Sequence, residues 1–243
     1  MLSADLERVD EASLHELITH EVRESDRIEY KRELPLGKDS DKVPFLSQVC
    51  SFANAAGGDL VIGVEAKDGI PISIPGVEVE TFDALLLRLD SWIREGLEPR
   101  FAGFTIRQIP MSGNGDVIVV RVQKSWNRPH RVKANSVFYG RTSAGREQLD
   151  LSHVRRLFLL SEEESGQLRS LRAERLLALS MNDTPVSFVE GPKVVLQLVP
   201  IGALRRDEVL STQELTAAYP LVPPLIQAIW QDASTSKASQ YTR

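Results

Sequence analysis

Apolar residues recur every three to four positions at Phe45, Val49, Phe52, Ala53 and Ala56, the spacing of one buried helix face. Ser40 or Asp41 is placed to cap this helix, Pro44 is tolerated in its first turn, and Gly57 suits the left-handed residue that ends it. Residues 60–64 then form a continuous apolar run, the pattern of an interior strand covered on both faces. Thr81 opens a second helical stripe through Phe82, Leu85, Leu86, Leu89, Trp92 and Ile93, stopped by Gly96, and the stripe places Trp92 in the core. Residues 104–109 and 117–122 read as two strands of a hairpin, joined through a turn containing Gly113 and Gly115, and residues 136–140 as a further strand. An amphipathic helix starting at Asp10 or Ser13 carries Leu14, Leu17 and Ile18 on one face.

Towards the C-terminus, residues 151–160 predict a helix closing the core. A second helix begins at Ser161, where S-E-E-E reads as a capping box, and runs to Ser180. Residues 194–200 predict a strand, Ser211-Thr212-Gln213-Glu214 caps a short helix, and Pro220, Pro223 and Pro224 interrupt regular structure. The expected fold is α+β: a mixed, mostly antiparallel sheet with packed helices and a small α/β C-terminal extension. The expected division is a helix over 1–20, a core over 21–160 and an extension over 161–243.

The chain has 243 residues, 42% of them hydrophobic, enough for one good core or two small ones. A net charge of -5 and a pI near 5.5 exclude a protein that coats nucleic acid indiscriminately, but not a local basic groove. Such an asymmetry is present: Arg121, Lys124, Arg128, Arg131, Lys133, Arg141, Arg146, Arg155 and Arg156 face only Glu147 and Asp150 in that stretch. Arginines interleaved with Trp126, His130, Phe138 and Tyr139 suit phosphate contact and stacking on unpaired bases; the competing reading is a surface loop paired with the acidic N-terminal third. His130, alone beside a proline, reads as structural rather than catalytic. The single cysteine, Cys50, falls within the first helical stripe and reads as a core residue, and one thiol with four scattered histidines builds no disulfide or zinc cluster. No apolar run approaches the roughly 20 residues of a membrane span, and a cytoplasmic, reducing compartment is expected. Gly37-Lys38 lacks the preceding glycine and following Ser or Thr of a phosphate loop, and Gly57-Gly58 lacks the dinucleotide pattern, so no ATP or dinucleotide cofactor is expected.

The chemistry is concentrated between Glu24 and Gly69. If residues 28–32 are extended, Glu29 and Lys31 share a face. A carboxylate beside an ammonium suits phosphodiester chemistry, the first holding Mg²⁺ or Mn²⁺ through oxygen, the second neutralising phosphate; a charged edge strand is the alternative. Glu24, five residues before Glu29, falls on the same face only if the chain bends near Ser25-Asp26. Asn54 is either a helix-terminal capping residue or a contact to ligand or to Glu29.

The pattern E-x4-E-x-K at Glu24, Glu29 and Lys31, followed by S-F-A-N-A-A-G-G-D-L-V-I-G-V from Ser51, resembles the Schlafen AlbA-like domain of bacterial proteins and of animal Schlafen nuclease cores. The resemblance covers roughly residues 10–160, more weakly through Pro129-His130, residues 138–141 and Arg146. It implies a three-carboxylate site for Mg²⁺ or Mn²⁺ that cleaves structured RNA such as tRNA, with Glu24, Glu29 and Lys31 as catalytic residues. The third metal ligand is Glu65 or, from the following turn, Asp68. RNA is favoured over DNA, with Lys31, Arg128, His130, Arg131, Lys133, Arg141 and Arg146 as the nucleic-acid surface. The resemblance further implies an antiviral or host-defence effector, continuation into a further domain in many bacterial chains, and a homodimer that rebuilds a two-lobed RNA groove. The alternative is a non-catalytic DNA- or RNA-binding regulatory module.

Overall fold

A computed structural model describes residues 2–3, 5–34, 41–79, 81–113 and 115–181. The order of elements is α1 (Glu11–Thr19), β1 (Ile28–Lys31), α2 (Lys42–Asn54), β2 (Gly58–Ile62), β3 (Glu65–Lys67), β4 (Ile70–Ser73), α3 (Phe82–Gly96), β5 (Leu97–Glu98), β6 (Phe104–Pro110), β7 (Asp116–Val122), β8 (Arg131–Val132), β9 (Val137–Thr142), β10 (Gly145–Gln148) and α4 (Leu151–Ser180). One four-stranded sheet has the order β1-β2-β7-β6, with β1 parallel to β2 and the remaining pairs antiparallel. A second, antiparallel sheet runs β10-β9-β8-β5, and β3 and β4 form a separate hairpin. The fold is therefore α+β, with mostly antiparallel strands.

The first sheet is covered on both faces, which explains the unbroken apolar run of β2. Leu60 and Ile62 join Ile118 and Val120 in a core against α2 and α3, while Val61, Ile28, Tyr30 and Val119 pack on the other face with Leu14 and Leu17 of α1. Side-chain alternation then decides the orientation of β1: with Ile28 and Tyr30 turned to α1, Glu29 and Lys31 turn to the α2 side. α1 is opened by Asp10, whose carboxylate accepts from Ser13 N at 2.9 Å while the Ser13 hydroxyl accepts from Asp10 N.

α2 is the central helix. From Phe45 to Asn54 every residue is buried, polar ones included, because the helix packs against strands of both sheets and against α3. Gly57 joins it to β2 with φ +77°, and a Cβ there would stand 2.7 Å from Val122 O, so no other residue fits the join. Cys50 is buried, donates to His130 O, and burial pushes its thiol up to about 12, in keeping with a core role.

The break expected at Ser161 is absent. α4 runs unbroken through it from a cap at Asp150, which accepts from His153 N at 2.8 Å; Ser161 instead donates its hydroxyl to Trp126 O at 2.8 Å. Among the described residues no helix is long and apolar enough to cross a membrane. The strand and short helix expected over 194–214, and Gly37-Lys38, lie outside the described residues.

Candidate functional site

The bend needed to bring Glu24 to Glu29 is present. Ser25 N donates to Ile28 O at 3.0 Å, and Glu24 N donates to Gly69 O at 2.7 Å, tying this segment to the β3–β4 turn. Glu24 Oε1 then accepts from Tyr30 N at 2.9 Å. The β3–β4 turn places Asp68 and Gly69 at φ +54° and +76°, the two-residue Asp-Gly hairpin geometry.

Glu29 is held from three sides. Oε1 accepts from Lys31 Nζ at 2.6 Å and from Gln48 Nε2 at 2.9 Å, and Oε2 accepts from Arg141 Nη2 at 2.7 Å. The Arg141 side chain is 0% exposed. It lies over the Phe52 ring at 4.0 Å and donates to Gln48 Oε1 at 2.8 Å and Ser25 O at 3.0 Å, joining β9 to α2 and to the bend before β1. Burial opposes ionisation of Glu29, but the hydrogen bonds and charges of Lys31 and Arg141 outweigh it and hold the carboxyl below its ordinary value.

A polar cavity of about 500 Å³ opens over this arrangement. Arg23, Glu24, Glu29, Lys31, Gln48, Asp68, Gly69 and residues 143–146 line it. Arg146 is braced by Pro44 O at 3.3 Å, by the Ser47 hydroxyl and by the Tyr139 ring at 5.4 Å.

The other expected site residues divide clearly. Glu65 does not line the cavity: it pairs with Arg32 at 2.8 Å and accepts from the Ser73 hydroxyl at 3.1 Å. Arg131 pairs with Glu98 at 2.7 Å, and Lys133 is exposed. Arg128 and His130 are corrections. They are 4% and 0% exposed, so neither presents its side chain to a ligand. Arg128 donates to Glu164 Oε1 at 2.9 Å inside the protein. His130 donates Nδ1–H to Pro99 O at 2.7 Å and accepts the Ser125 hydroxyl on Nε2 at 2.6 Å, and burial lowers its pKa, keeping it neutral. Arg141 is likewise internal, acting on Glu29 rather than outward.

Asn54 is neither a helix cap nor a ligand contact. Its amide donates to His130 O and Tyr139 O, both at 2.8 Å, and its Oδ1 accepts from His130 N at 2.6 Å, clamping β8 and β9 to α2. Gln48, Arg23 and residues 143–145 were not foreseen. None of them carries a distinguishing signal in the sequence: Gln48 is one of four buried polar residues of α2, with Ser47, Ser51 and Asn54.

The carboxylates as they stand do not fit a divalent metal. Among the described residues no three His, Cys, Asp or Glu side chains are grouped to hold one, and Glu29 already has both oxygens committed to protein donors.

The family model described as "Schlafen, AlbA_2" matches residues 24–150, which takes in the whole cavity lining apart from Arg23. This chain belongs to the Schlafen AlbA_2 family. A comparison with curated proteins finds no match. Among solved structures, this Schlafen AlbA_2 chain is similar to the crystal structure of the DIP2311 protein from Corynebacterium diphtheriae, at 16% identity and a TM-score of 0.39 over 56% of this chain. That alignment covers 30% of DIP2311, so this chain spans less than a third of that protein. It is also similar to a solution NMR structure from Nitrosomonas europaea, the N-terminal domain of a protein described as ATP-dependent DNA helicase RecG-related. There the identity is 23% and the TM-score 0.37, over 49% of this chain and 78% of that one.

Proposed function

We propose that this Schlafen AlbA_2 chain binds nucleic acid by its phosphate backbone, over the cavity between the bend before β1 and residues 143–146. One observation carries the reading: Arg141 neutralises Glu29 from behind, inside the protein. The lining cations Arg23, Lys31 and Arg146 then face only Glu24 and Asp68 as uncompensated carboxylates, and the cavity favours an anion. The other exposed cations expected on the surface, Lys133 and the Glu98-paired Arg131, are not part of the cavity lining. RNA is the favoured ligand on the strength of the family resemblance, and a contact to the 2′-hydroxyl is what would distinguish it from DNA.

Anisotropy titrations with labelled single-stranded RNA and DNA of one sequence, at several salt concentrations, test it. Arg23→Ala and Arg146→Ala are each expected to weaken binding and to lower the salt slope by about one. Unchanged slopes in both variants would exclude this cavity as the phosphate site.

A second reading, a metal-dependent endoribonuclease, is supported by Glu24, Glu29, Asp68 and Lys31 lining one cavity, although among the described residues no three carboxylates are grouped to hold a metal as they stand. Incubation of total tRNA with and without Mn²⁺, beside a Glu24→Gln/Glu29→Gln double variant, tests it; equal cleavage by both proteins would remove these residues from the reaction. A homodimer, possessing two such cavities, belongs to the same proposal, and a monomer by sedimentation at micromolar concentration would overturn it.

A further inference from the structure

A second cavity, of about 270 Å³, lies between α4 and the second sheet. Its apolar walls are Phe138 of β9, Phe158 of α4, and Pro99 and Pro129, which follow β5 and precede β8. Tyr139 and Arg141 turn to α2, so strand alternation turns Phe138 to the other face of the sheet. Phe158 is 54% exposed although the helix is docked a turn to either side of it: Val154 is buried, and the Ser161 hydroxyl donates to Trp126 O at 2.8 Å. One turn further on, Glu164 accepts from Arg128 at 2.9 Å, so helix and loop are tied together and the cleft is preformed. On the rim, Glu98 is matched by Arg131 at 2.7 Å and Glu162 lies 3.7 Å from Arg169. The Asn127 side chain also lines the cleft; it is exposed and, among the described residues, makes no hydrogen bond, which leaves its amide donor and its acceptor unused.

An apolar cleft with an unused amide at its rim suits a flat heteroaromatic ring that carries donors and acceptors on its edge. The space is below the roughly 300–1,000 Å³ of pockets for drug-sized ligands and is enough for one such ring. The described residues that line the Glu29 cavity include no aromatic side chain, so that cavity takes phosphates and leaves bases unheld. Arg155, exposed one turn before Phe158 on α4, offers a charge to the phosphate beside a ring seated in the cleft. We propose that this cleft takes one unpaired nucleobase of a bound strand, stacked on Phe158 and Phe138 with its edge on Asn127. The inference rests on the nucleic-acid reading of the Glu29 cavity and adds a site for a base near the other end of β9. In a duplex each base is already stacked on its neighbours, so the cleft selects single strands, loops and frayed ends. Stacking involves no charge, so its loss weakens binding without changing the salt slope.

The test titrates the full chain, at several salt concentrations, into short single-stranded oligoribonucleotides that carry 2-aminopurine at each position in turn, beside a blunt duplex of the same sequence. Binding is expected to change the 2-aminopurine fluorescence at one position or a few, as the probe stacks on a ring of the protein. Phe158→Ala, checked for an unchanged melting temperature, is expected to remove that change and to weaken single-strand binding about tenfold, with the salt slope unaltered. Phe158→Trp keeps a stacking face and is expected to retain both the signal and the affinity. The duplex is expected to bind more weakly and to be indifferent to Phe158→Ala. If Phe158→Ala keeps the natural affinity and fluorescence change while Arg23→Ala and Arg146→Ala still lower the salt slope, the base site is overturned and the reading of the Glu29 cavity stands. A loss of affinity in Phe158→Ala that comes with a lower salt slope overturns it too, because the ring would then be supporting charged contacts rather than a base. If no oligonucleotide binds the natural chain, both readings fall.

Discussion

Arg141 Nη2 stands 2.7 Å from Glu29 Oε2, with the arginine side chain wholly buried, and through this contact β9 of one sheet is bonded to β1 of the other. A buried ion pair adds little net stability over an apolar pair of the same shape, but removing one partner strands a charge. Arg141→Met is expected to lower stability by about 3–5 kcal/mol. Glu29→Met combined with Arg141→Met should cost well under the sum of the two single changes. Urea unfolding of all three variants gives the double-mutant cycle, and simple additivity would show that the two groups do not depend on each other.

The same contacts set a pH dependence. Glu29 is held below the ordinary glutamate value of 4.5 in the folded chain, so the unfolded chain binds its proton first as pH falls. Its contribution is complete above pH 4.5 and is lost as pH drops through the lower folded value. The gap between thermal melts of the natural chain and of Glu29→Gln, followed between pH 3 and pH 7, should therefore be constant at higher pH and begin to narrow as pH falls below 4.5. A constant gap across the range would contradict the depressed carboxyl.

Asn54 makes three buried hydrogen bonds, two to the backbone of His130 just before β8 and one to Tyr139 of β9. Each buried group left unsatisfied costs about 1–3 kcal/mol; His130 O keeps its bond from Cys50, so the loss falls on His130 N and Tyr139 O and Asn54→Ala is expected to cost at least about 2 kcal/mol. Asn54→Asp should also fail, because a carboxylate has no donor for His130 O and Tyr139 O. If Asn54→Asp proves as stable as the natural chain in urea, the clamp is not as described.

How legible these residues were in the sequence depends on how local their causes are. The helix around Phe52, the α3 stripe and the β6–β7 hairpin follow from periodicity, and the observed elements lie close to the expected ones. The Glu29–Lys31 pair follows from strand alternation. Glu24 joining Glu29 required a bend that spacing leaves open, and a bond from Glu24 N to Gly69 O, 45 positions on, is part of what holds it. The choice between Glu65 and Asp68 was equally undecided, since it turns on which side of a short hairpin faces the cavity. The interleaving of arginines with aromatics, together with the family resemblance, points Arg128 to a nucleic-acid surface. The burial of Arg128 depends on Glu164, in a stretch that reads locally as a helix cap. Glu164 in fact falls at three- to four-residue spacing from Val154, Leu157 and Ser161 on the inner side of one long helix, which a capping reading of S-E-E-E conceals.

That helix gives the last prediction. Of the 30 residues of α4, Val154 and Glu164 are the buried ones, so the helix has little apolar surface to hold it to the core. Glu164 accepts from Arg128 at 2.9 Å and from Lys124 at 3.3 Å, and Arg128 in turn donates to Ser125 O at 3.1 Å, within the loop that leads to His130 and the Asn54 clamp. Glu164→Ala leaves the Arg128 guanidinium buried without its counter-charge, a change expected to cost about 3–5 kcal/mol if the helix stays docked. Because elements with few buried contacts open separately from the rest of a fold, the helix is expected to release instead. Hydrogen exchange should then accelerate over residues 155–180 and over the 124–130 loop while α2 amides keep their protection. Acceleration that is uniform across α2 and α4 would show that the helix unfolds only with the whole domain, and that Glu164 is not a separate tether.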